Sequence, residues 1–147
     1  MDFKFLIGGA FGALLGAVIA IWRSRYSAKS TDLTKRVETI HSIIDTLADS
    51  ASRARTRLGA EKDGLISNKS YCIALQGRLE DAVERLNKDY GNFTEKDLNH
   101  AFAEFVTACT GGAFDEAEQE PDVSIRRILI SGGRLKDCFS EARMKHY

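Results

Sequence analysis

The stretch LTKRVETIHSIIDTLADSASRARTRL, residues 33–58, carries apolar side chains at alternating intervals of four and three residues. The positions of this series are Leu33, Val37, Ile40, Ile44, Leu47, Ala51, Ala54 and Leu58. Such spacing is the heptad pattern of an α-helix that buries one face against other helices. Ile43 and Ala48 widen the apolar face beyond a two-stranded coiled-coil seam, which favours a helical bundle. We expect Ser30 or Thr31 to cap the start of this helix.

A second periodic stretch follows, and it predicts another long helix that ends near Tyr90. Its apolar positions are Leu65, Cys72, Leu75, Leu79, Ala82 and Leu86. The segment GAEKDG, residues 59–64, lies between the two stretches, and its terminal glycines favour a turn and an antiparallel hairpin. However, Leu58 and Leu65 are seven residues apart, so the heptad register passes through this segment in phase. One continuous helix from Thr31 to Tyr90 is therefore the alternative to the hairpin that we favour.

A third helix is predicted after Thr94, which forms an approximate capping box with Asp97. The residues expected on its buried face are Leu98, Ala101, Phe102, Phe105 and Cys109. Gly111 and Gly112 are expected to end this helix, and the acidic segment AFDEAEQEPD, residues 113–122, then reads as a loop.

Residues 123–147 predict two short helices, one to about Ser131 and one from about Arg134. The glycines of SGGR, residues 131–134, favour a turn between them; an anion-binding loop is the alternative, but the segment lacks a preceding strand and a G-K-[ST] motif. The apolar residues expected to join the core in this part of the chain are Phe114, Ile125, Ile128, Leu129, Leu135 and Phe139.

The N-terminal region contains an uncharged run, Phe5–Trp22. As an α-helix this run spans about 27 Å, close to the roughly 30 Å of a bilayer's hydrocarbon core. Trp22 and Tyr26 lie at one end, where amphipathic aromatic rings favour the membrane interface. The sequence therefore predicts a single transmembrane helix.

Small residues recur at intervals of four within this run, at Gly8, Gly12, Gly16 and Ala20. In a membrane helix such a glycine zipper allows another helix to approach closely. The expected partner is another copy of the chain, giving a homo-oligomer, or a different membrane protein. The alternative interpretation is that glycine and alanine are simply common in membrane helices.

The flanking charges predict the orientation of this helix. Before the run, Lys4 is offset by Asp2, whereas several basic residues follow it. Those residues are Arg23, Arg25, Lys29, Lys35 and Arg36. The positive-inside rule then places the C-terminal domain in the cytoplasm. A signal peptide cleaved after Ala20 is the alternative, but the basic cluster after the run favours an uncleaved signal anchor.

The first bases after the run, Arg23, Arg25 and Lys29, are expected to contact the membrane surface, where anionic headgroups attract them. The formal net charge of the chain is zero. After Tyr26, no aromatic residue interleaves with the basic residues up to position 62, so nucleic acid is not an expected partner. The expected partners are therefore the lipid bilayer and an unidentified protein.

Chemistry-bearing residues are sparse. The chain has an odd number of cysteines at widely spaced positions: Cys72, Cys109 and Cys138. This pattern is typical of free thiols in a reducing compartment. Each cysteine is expected to be a small core residue. His41 is one turn from Asp45 and is expected to be partly buried, whereas His100 and Glu104 read as a solvated i,i+4 pair. No catalytic, metal or cofactor motif is present, and no cofactor is expected.

We therefore expect an all-α chain: one N-terminal transmembrane helix, then a small helical hairpin or bundle domain with long heptad-patterned helices. The expected segments are a membrane anchor at 1–25, the hairpin plus third helix at 26–109, the acidic loop at 110–122, and short C-terminal helices at 123–147.

The predicted function is that of a single-pass inner-membrane protein that binds or scaffolds other proteins on the cytoplasmic face and is not an enzyme. Its anchor, over about the first 25 residues, resembles that of small bacterial envelope proteins, which suggests a bacterial or phage source. The alternatives are an anchored periplasmic envelope or phage lysis factor, and an enzyme whose site carries no recognisable motif.

Overall fold

A computed structural model describes the backbone of residues 3–56, 62–91, 93, 96–110 and 121–146, and the side chains of residues 15–56, 69–91, 93, 96–110 and 122–146. The described helices are α1 (Phe3–Thr56), α2 (Lys62–Tyr90), α3 (Lys96–Thr110) and α4 (Pro121–Lys145). The described chain contains no strand, and the all-α class is confirmed. The chain divides into two compact units, the N-terminal unit Met1–Lys35 and the C-terminal unit Arg36–Tyr147.

The heptad series lies on the buried face of α1. From Leu33 to Ala54, every residue of the series is at most 2% exposed. The expected cap at Ser30 or Thr31 is wrong, because α1 runs without a break through both residues. The Thr31 hydroxyl instead donates a hydrogen bond to the carbonyl oxygen of Ser27 one turn earlier, at 2.9 Å. Such bonding to the preceding turn lets threonine lie inside a helix.

Helices α1 and α2 pair in opposite directions. Arg36 of α1 binds Asp89 near the end of α2, and Arg55, near the end of α1, interacts electrostatically with Cys72 of α2. The order of the contacts along α1 is thus reversed along α2. This is the antiparallel hairpin that the glycines of residues 59–64 favoured, and the reversed order of contacts excludes one continuous helix from Thr31 to Tyr90.

Helices α3 and α4 bring the remaining apolar residues into the core of the C-terminal unit. The fully buried ones include Leu98, Ala101, Phe105, Cys109, Ile128, Leu135 and Phe139. Phe93, just before α3, stacks on Phe139 with 6.4 Å between ring centroids. Three residues predicted for the core depart from it: Phe102 and Ile125 are half-buried, and Leu129 is 58% exposed.

The prediction of two short C-terminal helices is wrong, because α4 is a single helix through Gly132 and Gly133. The reason is packing. A Cβ atom at Gly132 would lie 3.1 Å from Cε2 of Phe105 and 3.6 Å from Cγ2 of Ile44, so glycine allows α4 to approach α3 and α1 closely. The hydroxyl of Ser131 donates to the carbonyl oxygen of Arg127, which keeps this buried serine satisfied inside the helix.

The boundaries of the predicted acidic loop also shift. Thr110 is the last residue of α3, and α4 begins at Pro121, so Pro121 and Asp122 are helical. Proline is favoured in the first turn of a helix, where its missing N–H group is not needed. Several predictions lie outside the described residues or side chains: those on Phe5–Leu14, Leu58, Leu65, Thr94, Gly111, Gly112 and Phe114.

Candidate functional site

The N-terminal unit carries a helical segment whose described apolar side chains are all exposed. The large ones are Leu15 (59% exposed), Val18 (62%), Ile19 (61%), Ile21 (57%) and Trp22 (72%). Successive residues of an α-helix point about 100° apart, so these large side chains cover one side of α1, and the exposed small residues Gly16, Ala17 and Ala20 cover the other. This segment therefore lacks the polar face that a helix needs in order to lie on the surface of a water-soluble domain.

The two described members of the small-residue series, Gly16 and Ala20, lie on an uncovered part of the helix surface. A Cβ atom built on Gly16 would meet no described atom within 4 Å, and Ala20 is exposed. Space for a neighbouring helix is therefore present at these two positions. The other two members, Gly8 and Gly12, lie outside the described side chains.

Aromatic and basic residues follow the apolar segment. Trp22 and Tyr26 stack with 6.2 Å between ring centroids, and Arg23, Arg25 and Lys29 are exposed. A groove of about 600 Å³ beside the stacked rings is lined by both aromatic residues, Arg25 and Lys29. This surface combines apolar rings with cationic groups that can bind an anion.

Among the residues that the structure describes, no helix is both long enough and apolar enough to cross a bilayer. The first part of the predicted span, residues 5–14, lies outside the described side chains.

The C-terminal unit contains an open groove of about 350 Å³ between α1 and α2. We name it the arginine groove, and its lining residues are Arg36, Thr39, Ile40 and Ile43 of α1 and Arg78, Asp81, Ala82 and Arg85 of α2. On each helix the four positions are i, i+3, i+4 and i+7, so they form one continuous face two turns long. The groove thus lies directly along the line where the two helices meet.

Charge in the arginine groove is strongly uneven. Arg36 is held in place, because its guanidinium pairs with Asp89 at 2.5 Å and lies 5.7 Å from the centre of the Tyr90 ring. Arg78 and Arg85 are exposed, and neither forms an ion pair with a residue that the structure describes. With Arg36 paired to Asp89, the other two guanidinium groups face a single lining carboxylate, that of Asp81.

The middle of the arginine groove is apolar. Ile40 is buried, and Ile43 and Ala82 are half-buried. The sequence predicted Ala82 as a core residue of α2, but its small side chain leaves part of the interface between the helices open. The spacing of Arg78 and Arg85 was visible in the sequence, although nothing in it showed which face of α2 the other helices leave uncovered.

A buried arginine that sequence reasoning missed lies among all four helices. Arg55 is 4% exposed, and its Nη2 donates a 2.7 Å hydrogen bond to the carbonyl oxygen of Ala108. Burial lowers the pKa of Arg55, but a guanidinium remains charged in proteins. Its bond to the last turn of α3 satisfies a carbonyl at the end of that helix. This makes Arg55 a structural contact between α1 and α3.

The cysteine thiols are arranged for packing. Cys72 and Cys109 are fully buried, and Cys138 is half-buried, so the core prediction holds for the first two. Burial raises the pKa of the Cys109 thiol to about 12 and also raises the pKa of Cys72. A thiol that keeps its proton is a poor nucleophile and metal ligand. The three cysteines are free.

Both carboxylates that lie one turn from a histidine bind a base of α4, so the predicted pair of His100 with Glu104 is replaced by such a contact. Asp45, one turn from His41, binds Lys136 at 2.7 Å, and Glu104 binds Arg134 at 3.2 Å. His100 is exposed as predicted, but Glu104 is drawn to the neighbouring helix.

His41 is half-buried, as its place beside the heptad series predicted. Burial lowers the pKa of His41, and the nearby Lys136 ammonium lowers it further. Within the described residues, no group of three or more His, Cys, Asp or Glu side chains is placed to hold a metal ion.

Comparison of the chain with protein-family models, with characterised proteins and with solved structures gave no match.

Proposed function

We propose that this chain is a single-pass membrane protein, anchored by the N-terminal part of α1, that holds its C-terminal unit in the cytoplasm for binding other proteins. The observation that carries the proposal is the segment Leu15–Trp22, which exposes only large apolar and small residues around the helix. Moving a large apolar side chain from water into an apolar environment contributes about 1.5–3 kcal/mol. A bilayer would cover this segment completely.

The residues after the segment fit the interface of such a bilayer. The stacked rings of Trp22 and Tyr26 combine an apolar body with a polar atom, which suits the headgroup region. Arg23, Arg25 and Lys29 are exposed within the next two turns, and each can gain about 1 kcal/mol near anionic lipids. Positive charge on this side of the anchor supports a cytoplasmic C-terminal unit.

The small residues of the anchor support association with another membrane helix. Gly16 and Ala20 leave room on the helix surface, and Gly8 and Gly12 continue the same four-residue spacing in the sequence. In lipid, no hydrophobic driving force brings two helices together. Membrane helices therefore associate through close packing contacts of this kind. We propose a second copy of the chain as the partner of this face.

An interaction role for the C-terminal unit is supported by the arginine groove. Exposed guanidinium groups beside an apolar floor are typical of protein interfaces, where arginine is enriched. The buried cysteines, with their raised pKa values, do not offer a nucleophile.

Alkaline carbonate extraction of membranes tests the anchor. The wild-type chain should remain in the membrane pellet. The double variant Leu15→Lys with Val18→Lys should move to the supernatant, because each lysine costs up to about 3 kcal/mol inside a bilayer. The matched control, Leu15→Ile with Val18→Leu, keeps the segment apolar and should stay in the pellet. Extraction of the wild-type chain by carbonate would contradict the proposal.

A further inference from the structure

We propose that the arginine groove binds an acidic amphipathic helix of a partner protein. Two carboxylates of that helix pair with Arg78 and Arg85, and an apolar side chain between them packs over Ala82. The inference names the chemistry of the partner and rests on the interaction role proposed above.

The spacing of the arginines matches a helical partner. Arg78 and Arg85 are seven residues apart, which places them on one face of α2 and about 10.5 Å apart along its axis. A second helix that lies along the groove presents its own residues i and i+7 with the same separation. Two glutamates at that spacing therefore reach both guanidinium groups together.

The floor of the groove accepts an apolar side chain between those two contacts. Ala82 lies between the arginines on the same face, and Ile40 and Ile43 face it from α1. Because the alanine side chain is small, the groove of about 350 Å³ stays open at this point. A leucine at i+3 or i+4 of the partner helix fits there, as in other helix-in-groove complexes.

The charge of the groove selects an acidic occupant. Arg36 is paired with Asp89 beside the Tyr90 ring, so its charge is offset and the selection depends on the other two arginines. Arg78 and Arg85 add two guanidinium groups that form no ion pair with described residues, against one lining carboxylate. Complementary charge of this kind steers association and suppresses partners of the wrong sign.

The distribution of the arginines favours a helix over a phosphate group. Arginines that bind one phosphate converge on it with several donors. Here Arg78 and Arg85 are separated along the groove, with an apolar surface between them. An extended ligand with separated carboxylates and an apolar centre matches that arrangement.

The test uses the full-length chain in an uncharged detergent and a fluorescently labelled synthetic peptide of about 15 residues, long enough to form a helix. The peptide carries two glutamates seven residues apart with leucines between them, and a matched peptide carries lysines in place of the glutamates. Fluorescence anisotropy should show binding of the acidic peptide only. Replacing Arg78 and Arg85 together by glutamine should weaken that binding about tenfold, from two partly exposed ion pairs.

Two further variants separate the contacts. Arg78→Glu with Arg85→Glu should transfer binding to the lysine peptide, and Ala82→Trp should block the acidic peptide by filling the groove. These side chains lie at the exposed or half-buried edge of α2, so the core stays intact. The control Arg126→Gln removes an exposed charge from α4, outside the groove, and should leave the affinity unchanged.

Failure of the acidic peptide to bind, or equal binding to the wild type and the glutamine variant, would overturn the inference. It would also be overturned if that variant lost binding to phosphatidylglycerol vesicles and kept its affinity for the peptide, because the groove would then bind lipid. Carbonate extraction of the same variant gives a separate readout: it should remain in the membrane pellet. Loss of the wild-type chain from the pellet would refute the membrane anchor, and the peptide-binding result would still stand.

Discussion

Two adjacent glycines of α4 should respond in opposite ways to the same added methyl group. A Cβ atom at Gly132 would lie 3.1 Å from Cε2 of Phe105 and 3.6 Å from Cγ2 of Ile44. At Gly133, no described atom lies within 4 Å of the same position. Both residues are inside a helix, where alanine is preferred to glycine by about 0.8–1 kcal/mol.

The packing around Gly132 decides the sign of its response. Carbon atoms in contact prefer a separation of about 3.5–4 Å, so the Phe105 ring would have to move by roughly 0.4 Å or more. Phe105 is fully buried, and overpacking of such a core costs about 1–3 kcal/mol. Gly132→Ala should therefore lower the free energy of unfolding by up to about 2 kcal/mol. Gly133→Ala should raise it by about 0.5–1 kcal/mol.

Urea unfolding of the full-length chain in an uncharged detergent, followed by circular dichroism, measures both changes. The midpoint should shift in opposite directions for the two variants while the slope stays the same. Equal stabilisation by Gly132→Ala and Gly133→Ala would refute the reasoning, because the close approach of α4 to Phe105 would then not constrain the fold.

Three further outcomes are expected. Burial lowers the pKa of His41 from its usual 6.5, so His41 binds a proton more readily in the unfolded chain than in the folded one. The free energy of unfolding should therefore fall as the pH drops below about 6.5. Urea titrations at several pH values should show that His41→Gln flattens this dependence. Burial raises the pKa of Cys109 to about 12, so maleimide labelling read by mass spectrometry should modify Cys138 first; early labelling of Cys109 would contradict its burial. Gly12→Ile should weaken self-association by about 1 kcal/mol or more in a membrane-helix dimerisation assay, with Leu14→Ile as the neutral control; equal association of Gly12→Ile and wild type would argue against a contact between copies.

The sequence predicts the buried face of each long helix well, because periodicity alone determines which residues share a face. Val37 to Ala54 on α1 and Cys72 to Leu86 on α2 follow this rule, with Ala82 as the partly exposed exception. The paired glycines at residues 59 and 64 also favoured the break between α1 and α2, although the heptad register continues through it.

Features that depend on a neighbouring helix were not predictable in the same way. Gly132 has the local character of a turn residue, and only the position of Phe105 shows that it is a packing site inside α4. Nothing in the sequence marks Arg55 as a buried residue, and only the packing of α3 against α1 shows that the end of α3 covers it. Likewise, Arg78 and Arg85 become a candidate site only because α3 and α4 leave that face of α2 open.

Protease accessibility in intact bacterial spheroplasts tests the central claim most directly. A protease added outside should leave the C-terminal unit Arg36–Tyr147 intact, as detected with an antibody against the C-terminal residues. The same protease should digest it once detergent opens the membrane. Digestion of the C-terminal unit in intact spheroplasts would contradict a cytoplasmic location and would favour an anchored periplasmic protein.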